Sequence, residues 1–294
     1  MNIIVGIATA GRPEQLAVTL TQMVSQQRLP DRVVVCPAAL EDCDDQACRD
    51  LPFPVTVVHG SRGSSAQRNC IFDACGDADV IVFFDDDFYP HPKYLAEVEL
   101  LFTTHPDVVI ATGRVLADGI LGPGIEHPEA VRLLEAAVEI PPPEAAIHEA
   151  HNAYGCNMVV RVAPARKHGI RFDENLPLYG WLEDVDFSRQ MAPYGRIVSS
   201  TRLSGVHLGI KRGRTSGLKF GYSQIANPIY MTRKGTLSLP RALRQMGRNV
   251  ARNIARCLAP EPWVDRRGRV KGNMLALGDL VLGRIDPRKI LQLN

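Results

Sequence analysis

Short apolar runs and amphipathic stretches alternate through the first two hundred residues. Asn2 to Thr9, Arg32 to Cys36, Phe53 to His59 and Val80 to Phe84 are rich in β-branched and aromatic side chains, the pattern of short strands in a largely buried sheet. Between them the periodicity predicts helices from about Glu14 to Gln27, from the Gly60–Asn69 stretch to Cys75, and from Lys93 to Thr104, where Tyr94, Val98 and Leu101 share one face. Val108 to Thr112, Gly155 to Val160 and Arg196 to Ser200 resume the strand pattern. From Ala117 to His151, with Pro141-Pro142-Pro143 inside, the pattern loosens, and an irregular lid or binding loop is expected there. The order predicts an α/β domain.

Open α/β sheets place ligands at the carboxyl ends of their strands, where this chain also concentrates its polar chemistry. The central run V-I-V-F-F-D-D-D-F-Y-P ends in Asp85, Asp86 and Asp87. Three crowded carboxylates repel one another unless a cation or hydrogen bonds offset the charge. Asp85 and Asp87 make a D-x-D arrangement in which one carboxylate can face a ribose or base and the other a divalent metal on a diphosphate. The plain alternative is an acidic turn capping a helix near His91 and Pro92. Thr9 and Arg12 fall at the same sheet edge, beside a nucleotide or, for Arg12, beside Glu14. In G-S-R-G-S-S-A-Q-R-N, Gly60 and Gly63 precede a helix whose free N–H groups, with Arg68 and Asn69, suit phosphate or ribose contact or simple packing. Asp42, Asp44 and Asp45 are either base contacts or solvated surface.

A second acidic cluster, L-Y-G-W-L-E-D-V-D, spans Leu178 to Asp186. Tyr179 and Trp181 can stack on a sugar, and Glu183 or Asp184 can take a proton from an acceptor hydroxyl. Alternatively Asp184 or Asp186 caps a helix from Phe187 to Ala192. Gly155, at the head of its strand, permits close approach by a ligand. His207 is a candidate ligand for a metal held by Asp87, or a core histidine, whereas His148 and His151 read as loop residues. Lys211, Arg212 and Arg214, in I-K-R-G-R-T-S-G, suit a loop closing over a diphosphate.

With 294 residues and 32.3 kDa, the chain can hold one large domain or one domain with a helical appendage. No stretch approaches the roughly 18 to 20 apolar residues of a membrane span, and M-N-I-I-V-G-I enters a strand directly, so a cytoplasmic protein is expected. The 7 Cys, an odd number without C-x-x-C, indicate neither a disulfide framework nor a zinc cluster. Charge is distributed unevenly. Residues 1–200 hold 15 Lys plus Arg against 28 Asp plus Glu, a balance of −13; residues 201–294 hold 19 against 4, a balance of +15. Such a basic tail suits an anionic partner. At about 100° per residue, Arg241, Arg244, Arg248, Arg252 and Arg256 fall on one side of a helix from Leu239 to Leu258, with Leu239, Ala242, Leu243, Met246, Val250 and Ile254 opposite. That helix can lie at the inner face of the cell membrane as a peripheral anchor, pack on the α/β domain or join a homodimer. Aromatic residues total 6% with no basic–aromatic interleaving, so nucleic acid is not expected.

In order and spacing these motifs resemble the inverting glycosyltransferases of family 2, over about residues 2–232. The tail segment G-N-M-L-A-L-G-D-L-V-L-G-R-I-D-P-R-K-I-L is similar to that of bacterial members making surface or exported polysaccharides. The resemblance implies a GT-A fold: a Rossmann-like mixed sheet flanked by helices, here with a C-terminal basic amphipathic helical extension. It implies a catalytic domain over 1–232, with a nucleotide half to about 115 and an acceptor half from 116, and an extension over 233–294. It further implies a nucleoside diphosphate sugar donor, Mg²⁺ or Mn²⁺, and a saccharide or lipid-linked acceptor. T-x-x-R-P (Thr9 to Pro13), Gly63 to Asn69 and D-x-D would meet nucleotide and metal, His207 would complete the metal shell, and Asp184 of the Glu183–Asp184 pair would be the base. One departure concerns the Asp that family members often carry at the end of the second strand, where this chain has Cys36-Pro37; Asp42 or Asp44 is the available substitute. Rival readings are a noncatalytic sugar-nucleotide or glycan binding protein and a sugar nucleotidyltransferase, although the latter usually has a Gly-rich basic loop after its first strand, where this chain has only G-R-P.

Overall fold

The computed structural model describes residues 1–44, 46–139, 147–212 and 215–294. Asp45, Pro141-Pro142-Pro143, Gly213 and Arg214 lie outside the described residues. Four strands, β1 (Ile3–Thr9), β2 (Arg32–Pro37), β3 (Val55–Val57) and β4 (Val80–Asp85), run parallel in the order β3-β2-β1-β4. Their register sets Ala8 beside Asp85 and Thr9 beside Pro37, so the chemistry-bearing ends finish at one level.

On its other side β4 pairs antiparallel with β8 (Asn157–Arg161), which makes the sheet mixed around a core strand flanked by parallel and antiparallel neighbours. Beyond β8 come β6 (Val108–Asp118), then β9 (Arg196–His207), which pairs with β5 (Phe88–Pro90) and β7 (Ile147–Glu149). The last strand is longer than the expected Arg196–Ser200. Pairing with β6 and β5 carries the polar run Ser199 to Gly205 onward as strand and delivers His207 opposite Phe88.

Apolar side chains cover both faces of the sheet. Leu16 and Leu20 of α1 (Pro13–Gln22) and Tyr94, Leu95 and Val98 of α3 (Tyr94–Thr104) pack on one. Ile71 and Phe72 of α2 (Ser64–Ala74), with Phe187 and Met191 of α6 (Glu183–Met191), pack on the other. The stretch expected to be irregular from Ala117 to His151 instead holds the end of β6, the helix α4 (His127–Glu139) and β7. Gly119, Gly122, Pro123 and Gly124 lie ahead of α4, whose Ala130 and Leu134 are buried against Tyr89, Val206 and Leu208.

Between β8 and α6 runs the short helix α5 (Val162–Lys167). Three longer helices, α7 (Gly217–Lys234), α8 (Leu239–Arg256) and α9 (Arg266–Val281), close the chain. Ser216 caps α7 by accepting from the Lys219 N–H, and Gly235, at φ 89°, ends it in the left-handed region. α7 and α9 cross closely because both contribute glycine: a Cβ at Gly221 would lie 2.2 Å from the Arg269 carbonyl oxygen, and one at Gly272 2.1 Å from that of Leu218. Tyr222, Ile225, Met246 and Ala276 form the core of this unit. It is tied to the sheet domain at α6: Lys234 and Thr236 engage the buried Asp186 carboxylate at 2.6 and 2.5 Å, and Asn227 donates to the Trp181 carbonyl at 2.7 Å.

Candidate active site

The three aspartates after Phe84 have three different environments. Asp86 is wholly buried and points back into the fold, where Thr9 Oγ1 donates to it at 2.5 Å and Arg12 Nη2 lies 2.6 Å away. Burial and the charge of Asp87 push it up to about 7, against the pull of Arg12. Asp85 is more open, with Arg68 Nη2 at 3.2 Å. Asp87 accepts from the Ile210 N–H at 2.8 Å, with Arg12 Nη1 at 3.2 Å and His207 Nε2 at 3.4 Å. Burial alone would raise Asp87, but His207, Arg12 and that N–H together hold it well below the usual carboxylate range. None of the three caps a helix: β5 intervenes, and α3 begins at Tyr94 after Lys93.

His207 completes the cluster. Its Nδ1 is 2.9 Å from Asp118 Oδ1, its Nε2 faces Asp87 and, at 3.9 Å, Asp85, and Tyr154 Oη donates to the other Asp118 oxygen at 3.1 Å. Burial disfavours a charged imidazole, yet Asp118, Asp87 and Asp85 raise it to about 10. Asp85, Asp87 and His207 each offer one ligand atom, all within 4.8 Å of one another. Two carboxylates and an imidazole whose second nitrogen is fixed by an outer carboxylate form a donor set that fits Mg²⁺ or Mn²⁺. A bound cation would take the place of the proton that these carboxylates stabilise on Nε2.

The second acidic group opens α6. Leu178, Gly180 and Leu182 take φ of 58°, 60° and 75°, so the loop enters the helix through three left-handed residues, two of them with side chains that disfavour it. Leu182 is the N-cap position without a side-chain cap, which places Glu183 and Asp184 inside the first turn rather than ahead of it. Glu183 pairs directly with Arg68 Nη1 and accepts from Ser64 Oγ at 3.1 Å. Asp184 accepts from the Gly155 N–H at 3.1 Å and the Val185 N–H at 2.8 Å. Burial pushes both carboxylates upward against the pull of Arg68. Asp186, by contrast, is fully engaged by Thr236, Gln190 and Lys234 and ties α6 to the helical unit.

Arg68 joins the two groups. Its buried guanidinium meets Asp85, Glu183 and the Gly155 carbonyl, the last at 2.9 Å. A Cβ at Gly155 would sit 3.3 Å from Arg68 Nη2, so the small residue makes room for a protein cation. Asn69 turns elsewhere: its amide spans Phe172 and Glu174 and holds that loop. Gln67, which the sequence did not single out, donates to the carbonyls of Thr9 and Cys36 at 2.9 and 2.6 Å and binds the ends of β1 and β2 together. Asp42 accepts from Gly11 and Ala39 N–H groups, one on each oxygen, so it holds the loops after those strands. Trp181 and the half-exposed Tyr179 stand 6.0 and 5.6 Å from Phe220 of α7, an aromatic group beside Asp184's helix. Arg212 is exposed, 3.7 Å from Glu14, while Lys211 donates to the carbonyls of Gly119 and Ile120.

A mixed sheet of this topology, with carboxylates on the central strand's end and flanking helices on both faces, is the GT-A glycosyltransferase fold. The family model for glycosyl transferase family 2 matches residues 4–168, more than half of the sequence, and the chain belongs to that family. S. aureus TarS 1-349 superposes with a TM-score of 0.58 at 14% identity, covering 100% of this chain and 83% of that one. The same TarS segment in complex with UDP-GlcNAc gives 0.55 at 15%, covering 100% and 84%. The mannosyltransferase PcManGT from Pyrobaculum calidifontis, in complex with GDP-Man and Mn²⁺, gives 0.56 at 14%, covering 100% and 88%. Against a longer TarS structure, the chain spans 44% of that protein's length. No curated protein matches the sequence.

Proposed function

We propose that this protein is an inverting, metal-dependent glycosyltransferase that moves a sugar from a nucleoside diphosphate sugar to a hydroxyl of a saccharide or lipid-linked acceptor in polysaccharide synthesis. The observation that carries the reading is the pair of carboxylate groups, Asp85–Asp87 with His207 and Glu183–Asp184, bridged by the guanidinium of Arg68. Relatives of the same fold solved with UDP-GlcNAc, and with GDP-Man and Mn²⁺, support a donor of this class. We assign residues 1–232 to catalysis, with the nucleotide half to about 115, and 233–294 to an extension.

In this mechanism Thr9 and Arg12 fix the backs of Asp86 and Asp87, so that Asp85, Asp87 and His207 present their ligand atoms at the sheet edge. Asp85, Asp87 and His207 would hold Mg²⁺ or Mn²⁺, which would supply positive charge against the negative charge developing on the departing diphosphate. We assign Arg212 and Arg214 of the basic loop to the diphosphate as further cations. Asp184, positioned by the Gly155 and Val185 N–H groups, accepts the proton of the acceptor hydroxyl. That oxygen bonds to the anomeric carbon from the face opposite the diphosphate as the bond to the diphosphate breaks, inverting the centre. Tyr179 and Trp181 offer stacking surfaces to the acceptor. Incubation with Mn²⁺ or Mg²⁺ and a panel of nucleoside diphosphate sugars tests the reading. Metal-dependent binding and hydrolysis of one donor, with inverted configuration at the released sugar by NMR, is the expected result. Retention would overturn the mechanism, and no donor binding by folded protein would overturn the function.

A further inference from the structure

We propose that α8 is an interfacial helix that docks the protein on an anionic lipid surface, a property independent of the transfer reaction. The sequence pattern presented packing and lipid contact as alternatives for one apolar side. The structure divides that side in two. Ala242 and Met246 are buried and Val250 is half-buried against α7 and α9, while Leu243 and Ile254 remain 55% and 56% exposed and Leu258, just past the helix end, 88%. At about 100° per residue the exposed Leu239, Leu243, Ile254 and Leu258 form a strip between the packed face and the arginine row. The helix therefore has a seat in the fold, an uncovered apolar strip and a cationic flank.

Charge identifies the occupant. Arg241, Arg244, Arg248, Arg252 and Arg256 are all exposed, and among the described residues none has a carboxylate within ion-pair distance. The acidic groups of the extension are already engaged: Glu261 with Arg266, Asp265 with the Gly268 N–H, Asp279 with Lys289 and Asp286 with Arg288. Neighbouring α9 also exposes apolar side chains, Met274, Leu277 and Val281. A second protein copy would bring the same five arginines to the contact. Nucleic acid would satisfy the arginines but leave the leucines in water. Anionic headgroups over acyl chains satisfy both rows. No helix among the described residues is long and apolar enough to cross a membrane, so the contact is one of lying on the surface.

Cosedimentation of the full chain with vesicles of phosphatidylglycerol and phosphatidylcholine in equal parts, against phosphatidylcholine alone, is the test. Binding to the anionic vesicles at low salt, weakened at high salt, is expected. R244Q/R248Q should lower partitioning about 30-fold, and L243S/I254S about tenfold or more, with unchanged melting temperatures because all four side chains are exposed. Absence of wild-type binding at low salt would overturn the proposal. So would binding indifferent to L243S/I254S, which would mean charge adsorption alone, or a dimer in solution that those two substitutions convert to monomer, which would assign the strip to a second copy.

Discussion

The two acidic groups use the same residue types and reach opposite states. Asp87 is more deeply buried than Glu183, yet an imidazole, a guanidinium and a backbone N–H hold it well below the usual carboxylate range, which favours its anionic form. Glu183 and Asp184 share one cation and sit in the first turn of a helix, where burial outweighs Arg68 and both are pushed up. A carboxylate whose charged form is stabilised suits the holding of a cation, and one with a raised affinity for a proton suits taking it from a hydroxyl. Environment, rather than residue identity, divides the labour.

Removing the proposed base should break this division most severely. D184N is expected to lower transfer by about 10³-fold while leaving donor affinity by calorimetry nearly unchanged; an equal loss of donor affinity would show that the second group also holds the nucleotide. D87A should have the complementary effect. Metal-dependent nucleotide binding should weaken by more than the roughly 100-fold upper figure for outer-shell changes, and a variant that kept its metal requirement would remove Asp87 from the cation site.

What could be seen in the sequence follows from the range of each interaction. D-x-D, T-x-x-R-P and the Glu183–Asp184 pair are local strings at strand or helix ends, and strand ends were marked by apolar runs. Asp118 gave no such signal, because its partner His207 is 89 positions away and only the parallel pairing of β6 with β9 brings them together. Gln67 looked like an ordinary helix residue until α2 was laid over the ends of β1 and β2. The left-handed Leu178 and Leu182 run against their own propensity and are set by the packing of α6 on the sheet and of Leu182 on α7. Helix α4 was hidden because the surrounding glycines and prolines dominated a stretch in which the helical pattern was short.

Asp118 sharpens the comparison at smaller scale. It touches no ligand position itself but fixes the His207 ring, so D118N should lower Mn²⁺ affinity roughly 10-fold, read from the spin resonance signal of free Mn²⁺. Y154F, which removes only the hydroxyl behind Asp118, should cost less. If D118N left the affinity unchanged, His207 would not need its outer partner, and the difference between the two acidic groups would rest on Arg12 and the Ile210 N–H alone.

The pH profile tests the comparison with no substitution in the wild-type measurement. A general base works only when deprotonated, so a base whose affinity for protons is raised loses activity as pH falls through its folded-state value. Asp184 is shifted upward, and the acid limb of kcat should therefore lie above the roughly 3.9 of an ordinary aspartate and fall about tenfold per pH unit below its midpoint. E183Q identifies which carboxylate titrates. If Asp184 is the base, the limb persists in E183Q, because burial and the charge of Asp85, which raise Asp184, are unchanged. If the limb disappears instead, the proton goes to Glu183 and the roles within the second group are reversed, while the contrast between that group and Asp87 still stands.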